Sequence, residues 1–385
     1  MKFFTFYFKY ISAGLFLLNS LCLASFCHAD SWRLGLSHQL VLDGKEFFPI
    51  GMYGVYSADG VEALKELKAA GFNAVQTYVY SKKYLQDYLR EAQQVGLRAF
   101  IYPGTRLSRD EVDPLGKVAS MVKTLSEKDA VLAWQLADEP EYNKILPEQV
   151  EELRRRIHLG DRSRPTALVI AKSNNYKNYA PVTDIMIVDP YPVSKEPLTG
   201  ISDAVEKARI AVKNKKPVWV VVQLFGYQNE QHKGYGRKRE PTIEEVRCMT
   251  YLAIVHGAKG IFYFAYHGSQ YDVRLSPKYW EGVKGIAGEL RDLTPVLLAS
   301  GNGKKINVQD QGGGQKAIHS LVKKLDGKKY LFAVNTLNAP VHGIILGVEG
   351  SVQQIGVEFE SRNVDRVDGV FVDNFAPYAV HIYKI

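Results

Sequence analysis

Eight stretches rich in apolar, β-branched and aromatic residues recur before residue 270. They are 47–56 (FFPIGMYGVY), 72–80 (FNAVQTYVY), 97–104 (LRAFIYPG), 131–139 (VLAWQLADE), 166–172 (TALVIAK), 184–192 (DIMIVDPYP), 217–227 (PVWVVVQLFGY) and 260–268 (GIFYFAYHG). They run almost continuously apolar instead of alternating, as strands do when a parallel sheet is covered on both faces. Between most of them the pattern changes to that of a helix. Val61, Leu64, Leu67 and Ala70 share a face before Gly71, and Leu85, Tyr88, Leu89 and Ala92 share one before Gly96. Val150, Leu153 and Ile157 follow the fourth run. Asp59 with Glu62, and Thr242 with Glu245, have the spacing of a capping box. The link 173–183 is too short for a full helix. Eight strand–helix units in succession predict a (β/α)8 TIM barrel, an α/β fold. A doubly wound open sheet shares the alternation. No Gly-rich phosphate loop follows any run, which counts against nucleotide binding.

Past residue 300 the helical period disappears. Short strand-like runs at 304–310, 316–325, 328–337, 342–348, 369–375 and 378–385 alternate with Gly, Asn and Asp turns. They predict a small antiparallel β-sandwich. Residues 31–51 (SWRLGLSHQLVLDGKEFFPIG) look like a hairpin leading into the first barrel strand. The expected organisation is a signal peptide over 1–29, a barrel domain with its N-terminal hairpin over 30–300, and a sandwich domain over 301–385.

The signal peptide rests on Lys2 and Lys9, the apolar run Ile11–Phe26, and the small-residue site CHA before Asp30. The run is short for a membrane span. Cys22 and Cys27 would leave with it, so Cys248 would have no partner; its apolar helical setting reads as a packed thiol. No Asn-x-Ser/Thr sequon occurs. These features predict an exported protein of the bacterial periplasm or the extracellular space, with no membrane association beyond the signal. The formal charge of +8 is carried by scattered lysines, not by a basic stripe interleaved with aromatics, so nucleic acid is not an expected partner. The pattern does not reveal the oligomeric state.

In a TIM barrel the chemistry sits at the C-terminal ends of the strands. Glu139 ends the fourth run with Asp138 beside it, and a carboxyl group there can act as general acid when burial raises its pKa. The competing reading is a pair that caps a helix or meets Arg or Lys. Asp189 ends the sixth run, where an Asp-Pro turn is the alternative. Tyr53, Tyr78, Tyr102, Tyr191, Gln223, Tyr266 and His267 complete the strand ends, where aromatic faces stack on sugars or pack at the rim. No His, Cys and carboxylate set has metal-ligand spacing, and no Ser lies in a nucleophile elbow. The reading needs no metal or cofactor.

The segments DGKEFFPIGMYG, WQLADEPE, KPVWVVVQLFGY and GAKGIFYFAYHG, followed by runs ending in YAVHIYKI, resemble a clan A glycoside hydrolase over most of residues 35–385. The resemblance implies a glycosidase acting on an oligo- or polysaccharide, with the glutamate before proline, here Glu139, as acid/base. Two positions depart from that pattern. Asp138 stands where the clan has Asn, and Gln223 stands where it has its glutamate nucleophile. A neutral amide cannot attack, so Asp189 is the expected second carboxylate. A separation from Glu139 of about 5–5.5 Å would imply retention, and about 6.5–9.5 Å inversion. Asp138, Glu230, Glu240 or a substrate acetamido or carboxylate group are the alternatives. Two other readings stand beside hydrolysis: a degenerate barrel that only binds glycan, and a lyase for acidic polysaccharide.

Overall fold

The computed structural model of the chain describes residues 32–35, 38–103, 117–226, 239–268, 271–302, 306–310 and 316–385. The segment 1–29, with Cys22 and Cys27, lies outside the described residues, as does Glu230.

The eight apolar runs form a closed barrel of parallel strands, each beside the next. They are β1 (Ile50–Met52), β2 (Ala74–Gln76), β3 (Arg98–Ile101), β4 (Val131–Asp138), β5 (Thr166–Ile170), β6 (Ile185–Val188), β7 (Val218–Gln223) and β8 (Ile261–Phe264). The ring closes where Ile261 of β8 sits opposite Ile50 of β1. The helices are α1 (Gly60–Ala70), α2 (Lys82–Val95), α3 (Val118–Ser126), α4 (Pro147–Gly160), α5 (Tyr176–Tyr179), α6 (Gly200–Ala211), α7 (Ile243–Val255) and α8 (Pro277–Leu298). Only one turn of α-helix fits in the short fifth link, as its length requires.

Helix α2 buries Leu85, Tyr88, Leu89 and Ala92, the face its sequence period marks. Helix α1 stops at Gly71, whose φ of 111° is open to glycine at no steric cost. The Thr242–Glu245 capping box forms, with the Glu245 amide donating to Thr242 Oγ1 and the Thr242 amide to Glu245 Oε2. The Asp59–Glu62 box does not. Asp59 accepts instead from the Tyr56 amide at 2.8 Å and pairs with His267 and Arg274.

Strand alternation sorts the barrel into two cores. Ile50, Met52, Val75, Leu136, Leu168, Val188, Val220 and Tyr263 point outward to the helices. Tyr53, Ala74, Phe100, Ala133, Val169, Ile187, Trp219 and Phe262 fill the interior. Gly51 leaves the space that the Phe262 ring occupies; a Cβ there would lie 2.1 Å from it. At the N-terminal end a three-stranded sheet (Trp32–Leu34, Leu40–Leu42, Lys45–Phe47) inserts Leu40 and Leu42 against this interior. The expected hairpin is thus a plug for the bottom of the barrel.

From Gly301 onward the chain forms a nine-stranded antiparallel sheet. Its edge strand Asn307–Asp310 returns to the Ile318–Leu325 strand, where the Asp310 carboxylate accepts from the Ile318 amide at 3.3 Å. The sheet therefore rolls into a sandwich around Ile318, Leu331, Ile345, Phe371, Phe375 and Tyr383. On the Lys328–Asn335 strand, Leu331 and Ala333 face this core while Phe332 and Val334 face the barrel. There Tyr251 of α7 stacks on Phe332 at 6.3 Å, and Arg247 donates to the Val380 carbonyl at 2.7 Å. Cys248 is buried in the same seam, its thiol pushed up by desolvation, as befits a packed structural residue.

A histidine pair spans the seam. His256 meets Glu206 through Nδ1 at 2.6 Å and His319 of the sandwich through Nε2 at 2.8 Å. Burial, followed by His256 and Lys316, holds the His319 imidazole below its ordinary value. Below about pH 6.5 the unfolded chain therefore binds more protons than the folded one at this site. Stability is expected to fall as the pH drops through that interval, then level off once folded His319 protonates. Thermal melts of wild type and His319→Gln between pH 4.5 and 7.5 measure it. The variant should lose less stability on acidification, and parallel curves would remove His319 as a source of acid sensitivity.

Candidate active site

The end of β4 breaks the strand rule. Its ladder with β5 runs Trp134 to Thr166 and Gln135 to Ala167, then slips to Asp138 opposite Val169. One extra residue on β4 is a bulge, a device that re-aims side chains. Directly after it Glu139 adopts φ 46°, a left-handed conformation uncommon for a residue with a Cβ. The Asn143 side chain holds the turn, donating to the carbonyls of Asp138 (3.0 Å) and Glu139 (3.2 Å). Adjacent strand residues ordinarily face opposite ways. Here the bulge and the left-handed residue let both carboxylates act on one point.

That point is Asp189. It follows Ile185 and Ile187 on the inward face of β6 and is 6% exposed. Its carboxyl group is hydrogen-bonded to that of Glu139. Desolvation, then the charges of Glu139 and Asp138, push its pKa well up. Two carboxyl groups in contact cannot both ionise in a buried setting, so the pair shares one proton, and the more buried Asp189 is where it resides. Asp189 and Glu139 are therefore an electrostatically coupled unit at the wall of a cavity.

The expected sugar-binding residues divide into three groups. Asp138 sits over the barrel mouth, since its charge raises the phenols of Tyr53, Tyr78 and Tyr191 after the larger effect of burial. Around it the rings pack on one another. Tyr53 lies 6.2 Å from Tyr78 and from Phe264, Tyr191 lies 5.1 Å from Phe225, and Tyr78 lies 6.4 Å from Tyr102. Tyr53 and Tyr102 are buried, so they build the mouth and offer no open face for stacking. The Gln223 amide accepts from the Val193 amide at 3.0 Å and donates to the Phe225 carbonyl at 2.9 Å. It ties the loops after β6 and β7 together, a positioning part in place of the expected sugar contact.

Tyr266 and His267 belong elsewhere. Tyr266 packs edge-on against Trp280 of α8 at 5.6 Å, under the Arg274 guanidinium. His267 bonds Asp59 at 3.0 Å, and Arg274 also reaches Asp59. This network braces the rim between α1 and α8. Glu240 lies beside Tyr271 and Tyr279, whose hydroxyls both donate to the Leu224 carbonyl.

A cavity of about 280 Å³ opens at the ends of β4, β5 and β6. Glu139 and Asp189 line it with Tyr142, Tyr176, Tyr191 and Lys195. It lies at the small end of ligand pockets. Asp189 Oδ1 and the hydroxyls of Tyr53 and Tyr176 are buried without a hydrogen-bond partner among the described residues. Sequence reasoning passed over Tyr176, which sits in the short fifth link, and Gln135, which shares the inward parity of Ala133 and accepts from Gln76 at 3.0 Å. For Gln135 that parity was an available signal. Among the described residues no group of three His, Cys, Asp or Glu could hold a metal ion.

The raised Asp189 pKa has a stability consequence. A carboxyl whose folded pKa lies above its unfolded value favours the folded state at low pH, and that contribution is lost as the pH rises through the folded pKa. Asp189→Asn keeps a donor toward Glu139 and removes the titration. It should melt at or above wild type near pH 7, by roughly 1–3 kcal/mol, with the gain growing as the pH rises above the ordinary carboxylate range in paired thermal melts. A variant less stable than wild type at every pH would contradict the shared proton.

No family model matches the chain, and no curated protein matches it significantly in sequence. Solved structures do match in fold. An alpha-amylase from Geobacillus thermoleovorans, complexed with acarbose, aligns at TM-score 0.57 and 8% identity over 86% of this chain and 92% of its own. A maltogenic alpha-amylase from Thermotoga neapolitana aligns at 0.57 and 10%, over 87% and 98%. A GH30 endoxylanase from Clostridium papyrosolvens aligns at 0.51 and 12%, over 88% and 95%. The resemblance to glycoside hydrolases thus holds for the architecture, a closed parallel barrel followed by an antiparallel β-domain.

Proposed function

We propose that this chain is an exported glycoside hydrolase that cleaves an oligo- or polysaccharide with the Glu139–Asp189 pair as its acid/base centre. One observation carries the reading: two carboxyl groups in contact at the C-terminal end of a barrel, one buried with its pKa well raised, lining a cavity. Fold likeness to an amylase complexed with acarbose supports a carbohydrate ligand by analogy. The Tyr176 hydroxyl and Asp189 Oδ1, both on residues that line the cavity, supply polar groups of the kind that sugar hydroxyls satisfy. Export rests on the sequence alone: Lys2 and Lys9, the apolar run Ile11–Phe26 and the small-residue site before Asp30.

The chemistry follows from the shared proton. As the glycosidic bond lengthens, the one shared proton passes through Glu139 to the leaving oxygen and leaves both carboxyl groups ionised. The pair becomes a dianion when the sugar ring carries oxocarbenium-like positive charge. Repulsion that disfavours the dianion in the resting site is then offset by attraction to that charge, which is stabilisation specific to the transition state. Water adds to the anomeric carbon and its proton returns to the pair. The second role at the sugar falls to Asp138, to water or to a group on the substrate.

Glu139→Gln should lower turnover by about 10²–10⁴-fold and leave the melting temperature within a few degrees of wild type. Reducing ends released from a panel of plant, bacterial and animal glycans, by wild type and variant, measure it. Saturable glycan binding with no product from wild type would instead assign a barrel that only binds. An ultraviolet-absorbing unsaturated product would assign a lyase.

A further inference from the structure

A second cavity, of about 270 Å³, lies at the opposite end of the barrel, in the seam with the β-sandwich. Its walls come from every part of the molecule. They include His38 of the N-terminal sheet, Arg209 of α6, Lys216 before β7, Lys259 before β8 and Lys323 of the sandwich. Four of these five are cations, and among the described residues no carboxylate lines the space.

The neighbours only partly account for that charge. Lys323 donates to the Leu297 and Ala299 carbonyls at the end of α8, and Lys216 to the Ala180 and Thr183 carbonyls. Arg209 donates to the His256 carbonyl just past α7. These partners are neutral dipoles. The C-terminal ends of α6, α7 and α8 carry about half a negative charge each, well short of four cations. The Lys259 ammonium has no hydrogen bond or ion pair among the described residues. Glu46 acts only weakly on Lys259 and Lys323, while burial and Arg209 push Lys259 down. Burial and Lys259 push Lys323 down to about 8. Cations that line one cavity and depress one another are a site short of an anion.

We infer that this cavity binds an oxyanion of the phosphate or sulfate class, held by Lys259, Arg209 and Lys323. Tetrahedral oxygens would accept from the guanidinium and two ammonium groups at once. The bound ion would join the barrel to the sandwich where their like charges now face each other. This site is independent of the carboxyl pair, and its test does not involve turnover.

The test uses the full chain in a zwitterionic buffer at fixed ionic strength, with sodium chloride exchanged stepwise for sodium phosphate or sulfate. The melting temperature should rise saturably, by about 2–4 °C near saturation, and calorimetry should find one site per chain. Lys259→Gln should abolish the rise and melt at or above wild type in anion-free buffer, since it removes an unmatched charge. A glucose phosphate in a parallel series separates the sources. A shift only with free phosphate assigns the ion, and a larger shift with the sugar phosphate assigns a phosphorylated ligand. If neither exceeds the chloride control, or if Lys259→Gln responds like wild type, the cavity is no anion site.

Discussion

The repulsion between two carboxyl groups held in contact is the constraint around which the mouth of this barrel is built. Left to themselves, Glu139 and Asp189 would separate or hydrate. The chain prevents both. A bulge in β4 and a left-handed residue bring Glu139 over the interior, and Asn143 locks the two carbonyls of that turn. The inward parity of β6 places Asp189 beneath it, where burial makes ionisation costly. Each is a local departure from the easiest backbone or solvation, and the barrel wall is rigid enough to sustain them. Strain of this kind persists where the surrounding structure over-determines it.

The aromatic mouth follows from the same constraint. A shared proton needs a dry setting, because water would solvate the second charge. The packed rings of Tyr53, Tyr78, Tyr191, Phe225 and Phe264 exclude it from the barrel axis. That packing also moves the open volume off the axis, toward the ends of β4, β5 and β6. Gln223 fits this arrangement. Two backbone bonds to its amide fix the loops that carry Tyr191 and Phe225. A glutamate there could not donate to the Phe225 carbonyl while ionised.

The barrel was legible because its evidence is periodic. Continuous apolar runs repeat eight times with one-faced helices between most of them, and each repeat reinforces the others. The pair Glu139 and Asp189 was legible because strand ends in this fold are few. What the sequence hid was side-chain direction past the last ladder bond. Tyr266 and His267 continue β8, yet they meet Trp280 and Asp59 at the α1–α8 rim. Asp59 lost its capping role to those same partners, which no local spacing announces. The coupling of Glu139 to Asp189 was beyond reach for the same reason. It depends on a one-residue slip in a ladder, and a bulge leaves no mark in composition.

The two cavities also express one electrostatic order. In a parallel barrel every strand runs upward and every helix returns downward, so helix N-termini gather at the top and C-termini at the bottom. The helix dipoles then add, positive toward the mouth and negative toward the base. Acidic side chains belong at the first end and basic ones at the second. Glu139, Asp138 and Asp189 stand at the top, and Arg209, Lys216, Lys259 and Lys323 at the base. At each end the side chains overshoot what the dipoles offset. At the top the excess appears as a carboxyl pair that must keep a proton. At the base it appears as lysines that depress one another, a charge that a counter-ion from outside the chain would relieve.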